Sequence, residues 1–217
     1  MNKHRILSFA AALACIVTAS MAPARNASAA PPAPPKDAKK VAYTLKAGSV
    51  KLDAESDQKV APNQFKDFDV SATFINPAIA RWDYGFVLRR QPGKGALVFL
   101  VQENGDAVLA SAKDNLQPIK PAVSVKGLKK NANEKNEVAL YVRGDQVMAF
   151  INKAYVDTWT VTEFLDAGEL ALVAGSPDKD AKGEIKFINY LVRTPPTAAA
   201  GAAIAPTCRK RGEQRQY

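Results

Sequence analysis

Arg81-Trp82-Asp83-Tyr84 brings a guanidinium, an indole, a carboxylate and a phenol together within four residues, just ahead of an apolar run. Proteins hold sugars through aromatic faces combined with charged hydrogen-bond partners, so this cluster fits a carbohydrate contact. An aromatic cap on the rim of a β-sandwich would use the same residues. Arg143-Gly144-Asp145 spells an integrin-binding tripeptide, but a Gly-Asp pair between two alternating segments is already explained as a hairpin turn. Asp178-Lys179-Asp180 and Glu184 offer oxygen atoms for calcium, yet they lack the regular acid spacing of a calcium loop and read as solvated. No metal site and no cofactor are expected. Trp159 precedes a Thr160-Val161-Thr162-Glu163 capping pattern and reads as core or rim.

What the chain lacks narrows its chemistry further. Lys3, His4 and Arg5 precede an uncharged apolar run, Ile6 to Ala22, and Ala27-Ser28-Ala29 supplies a small-x-small cleavage pattern. Residues 1–29 are therefore expected to be a signal peptide, and the mature protein is expected to be extracytoplasmic, periplasmic or secreted. The apolar run is short of the roughly 20 residues a spanning helix needs, so no membrane span is expected in the mature form. The single histidine and Cys15 leave with this segment. A Ser-His-Asp triad, a Cys-His dyad and a His-bearing zinc site all need an imidazole, so none is available. Catalysis, if any, must rest on carboxylates, Lys, Tyr or an oxygen-bound cation. Cys208 has no intrachain partner, although it could link a dimer.

The net charge of +9 is concentrated at the ends. Loss of Lys3, Arg5 and Arg25 leaves +6, and Arg209, Lys210, Arg211 and Arg215 oppose only Glu213 in the tail. A nucleic-acid protein gathers its basic excess on one face or helix; this distribution argues against that partner.

These residues must be positioned by strands. Val138, Leu140 and Val142 alternate with polar residues, turn at Gly144-Asp145, and resume through Val147, Ala149 and Ile151. A second turn at Asn152-Lys153 leads to Tyr155, and Leu170, Leu172 and Ala174 alternate again. Period-2 alternation with two-residue turns predicts consecutive antiparallel strands with one face buried. Further strands are expected over Val41 to Leu52, Phe65 to Ile75, Tyr84 to Arg90, Ala96 to Gln102, Ala107 to Ala110 and Gly183 to Arg193. Ile119 to Leu128, with Pro118 and Pro121 near its start, belongs at an edge. The capping pattern, with Gly168 after it, predicts one short helix. Residues 30–40 form a Pro-rich linker and residues 195–217 a low-complexity linker with a basic tail. One domain is expected over residues 41–194, an all-β sandwich or barrel.

The order of short motifs carries a resemblance. Phe65-Lys66-Asp67-Phe68-Asp69-Val70 is followed by Gly85-Phe86-Val87-Leu88-Arg89, then Asn136, Ile151-Asn152-Lys153, Gly168-Glu169-Leu170-Ala171-Leu172 and Phe187-Ile188-Asn189-Tyr190. This resembles the concanavalin A-like lectin/glucanase domains, in particular their laminin G-like and 3-keto-disaccharide hydrolase-like bacterial branches. The resemblance implies an antiparallel jelly-roll β-sandwich. Lys153 and Ala171 stand where those domains usually carry Gly. The glucanases of this fold place alternating acids on one strand; Glu55-Ser56-Asp57 begins that way, but Lys59 and Val60 occupy the possible third positions, and a charged loop fits better. The resemblance places the Arg matching Arg89 on the concave sheet, and alternation puts Arg89 on one face with Asp83, Gly85 and Val87. Arg81, Trp82, Asp83 and Arg89 are accordingly the expected ligand-binding residues, and no catalytic residue is assigned. The expected function is an exported, non-catalytic module binding carbohydrate or another extracytoplasmic polymer. An envelope interaction protein and a carboxylate-dependent glycoside hydrolase are the alternatives, and enzymatic activity is left open.

Overall fold

Alternating apolar residues generate thirteen strands among the described residues, which a computed structural model arranges in two antiparallel sheets. The structure describes residues 31–36, 39–52, 58–178 and 181–195. The cleavage segment, the Glu55-Ser56-Asp57 group, Asp180, Cys208 and the basic tail lie outside the described residues.

The six-stranded sheet is built from β1 (Lys40–Lys51), β13 (Glu184–Thr194), β3 (Phe68–Ile75), β9 (Lys135–Arg143), β10 (Gln146–Ile151) and β11 (Ala154–Thr160), in that spatial order. The seven-stranded sheet runs β2 (Lys59–Phe65), β12 (Gly168–Gly175), β4 (Asp83–Gln91), β5 (Gly95–Gln102), β6 (Asp106–Ala112) and β7 (Leu116–Pro118), with β8 (Val123–Ser124) also paired to β6. Each sheet mixes hairpins with strands distant in sequence, the jelly-roll form of an antiparallel sandwich.

Inward-facing residues of the two sheets meet in one core. Phe68, Val70, Ala72 and Phe74 on β3 and Val138, Leu140 and Val142 on β9 face Tyr84, Phe86 and Leu88 on β4 and Leu97, Phe99 and Val101 on β5. Trp82, Tyr84 and Phe74 form a continuous ring stack, with centroids 4.8 and 4.4 Å apart and planes within 12°. Stacked rings of this size dominate core energetics. At the central ring of that stack, Asn136 Nδ2 donates to the Tyr84 hydroxyl (2.9 Å) and Asn152 Nδ2 donates to Asn136 Oδ1 (2.9 Å). The Tyr84 hydroxyl in turn donates to Asn76 Oδ1 (3.2 Å). Buried amides pair with one another here, which fixes the register of β9 against the Asn76 loop.

The hairpin expectations hold at Gly144-Asp145 and Asn152-Lys153. Asn152 (φ 51°) and Lys153 (φ 68°) both adopt the left-handed conformation of a type I′ turn. Arg143 is held by the Phe68 carbonyl (3.0 Å) and the Asp69 carboxylate (2.7 Å), so the Arg-Gly-Asp sequence forms the turn it was read as. The proline-bearing stretch after Leu116 sits at the β6 edge, as read. The capping pattern does not open a helix: no helix occurs among the described residues. Thr160 instead ends β11, and Phe164, at φ 54°, breaks any helical path before Gly168 begins β12.

Candidate functional site

The outer side of the seven-stranded sheet carries an apolar cluster across its four central strands, itself largely buried. Val87 on β4, Val98 and Leu100 on β5, Val108 on β6 and Ala171 and Val173 on β12 form a second cluster on the side facing away from the core. Strand registers lay these residues out in rows: Ala171 beside Val87 beside Val98, and Val173 beside Gly85 beside Leu100 beside Val108. The next row reads Gly175, Asp83, Gln102. A carboxylate and an amide thus stand at one end of an aliphatic floor.

Asp83 is half-buried and has no hydrogen-bond or ion-pair partner among the described residues. Gly175 makes room for it. A Cβ at Gly175 would lie 2.7 Å from Asp83 Oδ1, and one at Gly85 would strike the Phe99 carbonyl oxygen at 1.9 Å. Burial without a compensating donor pushes the Asp83 carboxyl up to about 6. At neutral pH it remains mostly ionised, a desolvated acceptor that gains by meeting a ligand hydroxyl or N–H.

The other three expected ligand residues are placed differently. Arg81 is exposed and pairs with Asp178 at 3.3 Å, with both side chains about half exposed. That pair sits at the end of the Asp83 row, and Ser176 Oγ donates to the Arg81 carbonyl (2.8 Å). Asp178 is therefore engaged by a cation, and among the described residues no group of three or more potential metal ligands occurs. Trp82 is only 2 % exposed and lies in the core stack, not on a groove rim. Its indole packs on Tyr84 because Trp82 precedes β4 on the inward side. Trp159 is likewise in the core, edge-on to Phe99 at 5.7 Å.

Arg89 requires the largest correction. Alternation puts it on the outer face, yet its side chain is fully buried. The reason is a bulge: the β4–β5 register slips between Leu88 and Gln91, and Arg89 adopts φ 49°. One extra residue reverses the facing of every residue after it. Arg90 takes the outer position, bonded to Glu169 (2.7 Å) and Gln58 (2.6 Å). Arg89 turns inward and donates to the carbonyls of Lys66 (2.7 Å), Gly144 (2.8 Å) and Phe164 (3.2 Å), with Asp67 Oδ1 at 3.4 Å. It pins the β2–β3 turn, the β9–β10 turn and the β11–β12 connection together. Burial lowers its pKa, opposed by the carboxylates of Asp67 and Asp166. The guanidinium is a structural clasp, with no surface left for a ligand.

Sequence reading did not find Gln102, Gly175 or the aliphatic floor. The signal was present in the run Ala96 to Val101, apolar at every position and so apolar on both faces of a strand.

No protein-family model matches the sequence, and no curated protein matches it. Solved structures do. The carbohydrate-binding module CBM66 from Bacillus subtilis superposes with a TM-score of 0.50 at 12% identity, over 62% of this chain and 80% of that one. The likeness is one of fold, a two-sheet antiparallel β-sandwich. An A. japonicus structure, CB05, aligns with a TM-score of 0.50 at 11% identity, over 73% of this chain and 26% of that one. This chain thus spans about a quarter of the A. japonicus protein. A Caenorhabditis elegans galectin aligns with a TM-score of 0.49 at 11% identity, over 69% of this chain and 94% of that one.

Proposed function

We propose that this protein is an exported, non-catalytic carbohydrate-binding module whose ligand lies on the outer face of the seven-stranded sheet. The observation that carries the reading is Asp83: an unpartnered, desolvated carboxylate beside Gly175 and Gln102 at the end of an apolar floor. A sugar presents an apolar C–H face and a row of hydroxyls. The C–H face can lie on half-buried Val173 at the end of the cluster, two hydroxyls can donate to Asp83, and Gln102 can both donate and accept. The sandwich shared with a module whose name states carbohydrate binding supports the ligand class. Export rests on the leader pattern of the sequence alone.

The test is binding of the mature protein to a panel of neutral and acidic polysaccharides, compared with Asp83→Asn and Asp83→Ala. Retained polysaccharide that is lost in both variants, with melting unchanged or improved, supports the proposal. Equal retention by all three proteins overturns this placement of the site.

A second reading is favoured by Asp106. It begins β6, and by register follows Gln102 in the same outer row, two strand spacings or roughly 10 Å from Asp83. A carboxyl raised toward neutrality on the same face as a second carboxylate is the kind of pair an inverting glycoside hydrolase uses when its two carboxyl groups stand about 6.5–9.5 Å apart. Asn104 Nδ2 donates to Asp106 Oδ2 (2.9 Å), which orients that carboxylate. Release of reducing ends from a bound oligosaccharide, abolished by Asp83→Asn, would replace the binding-module reading with this one.

A further inference from the structure

Phe164 and Arg89 are both non-glycine residues in the left-handed region, at φ 54° and 49°. Such a conformation strains a residue with a Cβ and persists only where the surroundings over-determine it. Here the surroundings do so: the buried Arg89 guanidinium grips the Phe164 carbonyl, and the Phe164 ring rests over Gly95, where a Cβ would come within 2.9 Å of Cζ. The strain holds one ring in one place.

That ring forms a wall of a cleft of about 450 Å³ at the end of the sandwich. The cleft opens between the β4–β5 turn, the β6–β7 turn and the β11–β12 connection. Gln91, Lys94, Lys113, Asp114 and Glu163 complete it. Lys94, Lys113, Asp114 and Glu163 are exposed, and Ser111 Oγ donates to Glu163 Oε2 (3.1 Å), orienting that carboxylate. Two ammonium and two carboxylate groups cancel, so the cleft favours neither cations nor anions. What it offers is a fixed aromatic face ringed by donors and acceptors in equal supply. A neutral polyhydroxylated ring matches this, its C–H face on Phe164 and its hydroxyls shared among Gln91, Glu163 and the lysines.

We propose that the end cleft is a second saccharide site, separate from the Asp83 face, that takes a neutral sugar unit stacked on Phe164. The inference shares the ligand class of the preceding section but none of its residues. Glu163 lies across the β11–β12 connection and Asp83 at the opposite end of β4, so the two sites can be perturbed independently.

The experiment is a heteronuclear NMR titration of the mature protein with neutral malto-, cello-, galacto- and fructo-oligosaccharides and with an anionic uronate oligomer. Expected are saturable shifts of the Gly93, Lys94, Asp114 and Phe164 amides with at least one neutral series. Phe164→Ala and Phe164→Leu should both weaken those shifts by about tenfold or more, while Asp83→Asn leaves them intact. The leucine variant keeps the apolar volume, so folding is retained if alanine disrupts the connection. Cleft shifts without movement at Asp83, Gln102 and Gly175 would uphold this site and remove the other. Movement only at the Asp83 row would do the reverse. Silence of the cleft amides toward every neutral series, response to the uronate alone, or unchanged affinity in Phe164→Leu overturns the proposal.

Discussion

Arg89 Nη1 donates to the Phe164 carbonyl oxygen at 3.2 Å, so a buried cation on β4 fixes the connection between β11 and β12. The same nitrogen reaches Gly144 O at 2.8 Å. One side chain therefore couples both sheets at one end of the sandwich.

Arg89→Ala should destabilise the domain by about 3 kcal/mol or more, because three carbonyl groups lose a charged donor inside the protein. Arg89→Lys should recover little, since an ammonium cannot reproduce the forked geometry. Phe86→Ala should cost about 3–5 kcal/mol through loss of a fully buried ring. Urea denaturation followed by tryptophan fluorescence measures all three, and a near-neutral Arg89→Ala would contradict the clasp.

Asp83 makes stability fall as pH rises. Its carboxyl titrates near 6 in the folded protein against an ordinary value of 3.8, so between those values the folded state holds the proton the unfolded state has released. The native advantage is fully present below about pH 4 and is lost progressively up to about pH 6. Asp83→Asn should flatten this part of the profile and raise stability at pH 7 by on the order of 1–2 kcal/mol. Urea midpoints measured from pH 4 to 7 for both proteins decide the matter; parallel profiles would show Asp83 to be solvated.

Gly175→Ala should displace the Asp83 carboxylate, the end of a movable side chain, from 2.7 Å contact with the new Cβ. Stability should change by less than about 1 kcal/mol while polysaccharide retention drops. Gly85→Ala, which meets backbone at 1.9 Å, should instead prevent β4 and β5 from pairing normally. Similar behaviour of the two variants would speak against a special role for the space beside Asp83.

Lys153→Gly should stabilise the β10–β11 hairpin by about 1 kcal/mol, since φ 68° strains any residue with a Cβ. Thermal melting of the variant should rise by a few degrees; a fall would indicate that the Lys153 side chain contributes more than the strain removes.

Most strands were legible because one face of each is buried, and Val138 to Ile151 with its turn is the clearest example. β2 was not, because Val60-Ala61-Pro62-Asn63-Gln64 lacks apolar alternation and carries a proline, features that fit its place at the sheet edge. The capping pattern at Thr160 misled because local helix signals cannot compete with the pairing of β11 to β10 up to Thr160. At the site, Asp83 was reached by alternation that holds from β4's first residue. Arg89 was missed because a bulge five residues on inverts the facing, and nothing in Leu88-Arg89-Arg90-Gln91 announces it. Trp82, one residue before the strand, followed the inward parity of Tyr84.

The edge of the six-stranded sheet is closed by β1 against β13, from Lys40 opposite Thr194 to Lys51 opposite Glu184. The first of the described strands therefore has no ladder partner until the last of them has been synthesised. During that wait Tyr43 and Leu45, which end against Tyr190 and its neighbours, remain open to solvent and to chaperones. Such long-range closure makes folding slow, because the contact that seals this edge spans nearly the whole described domain.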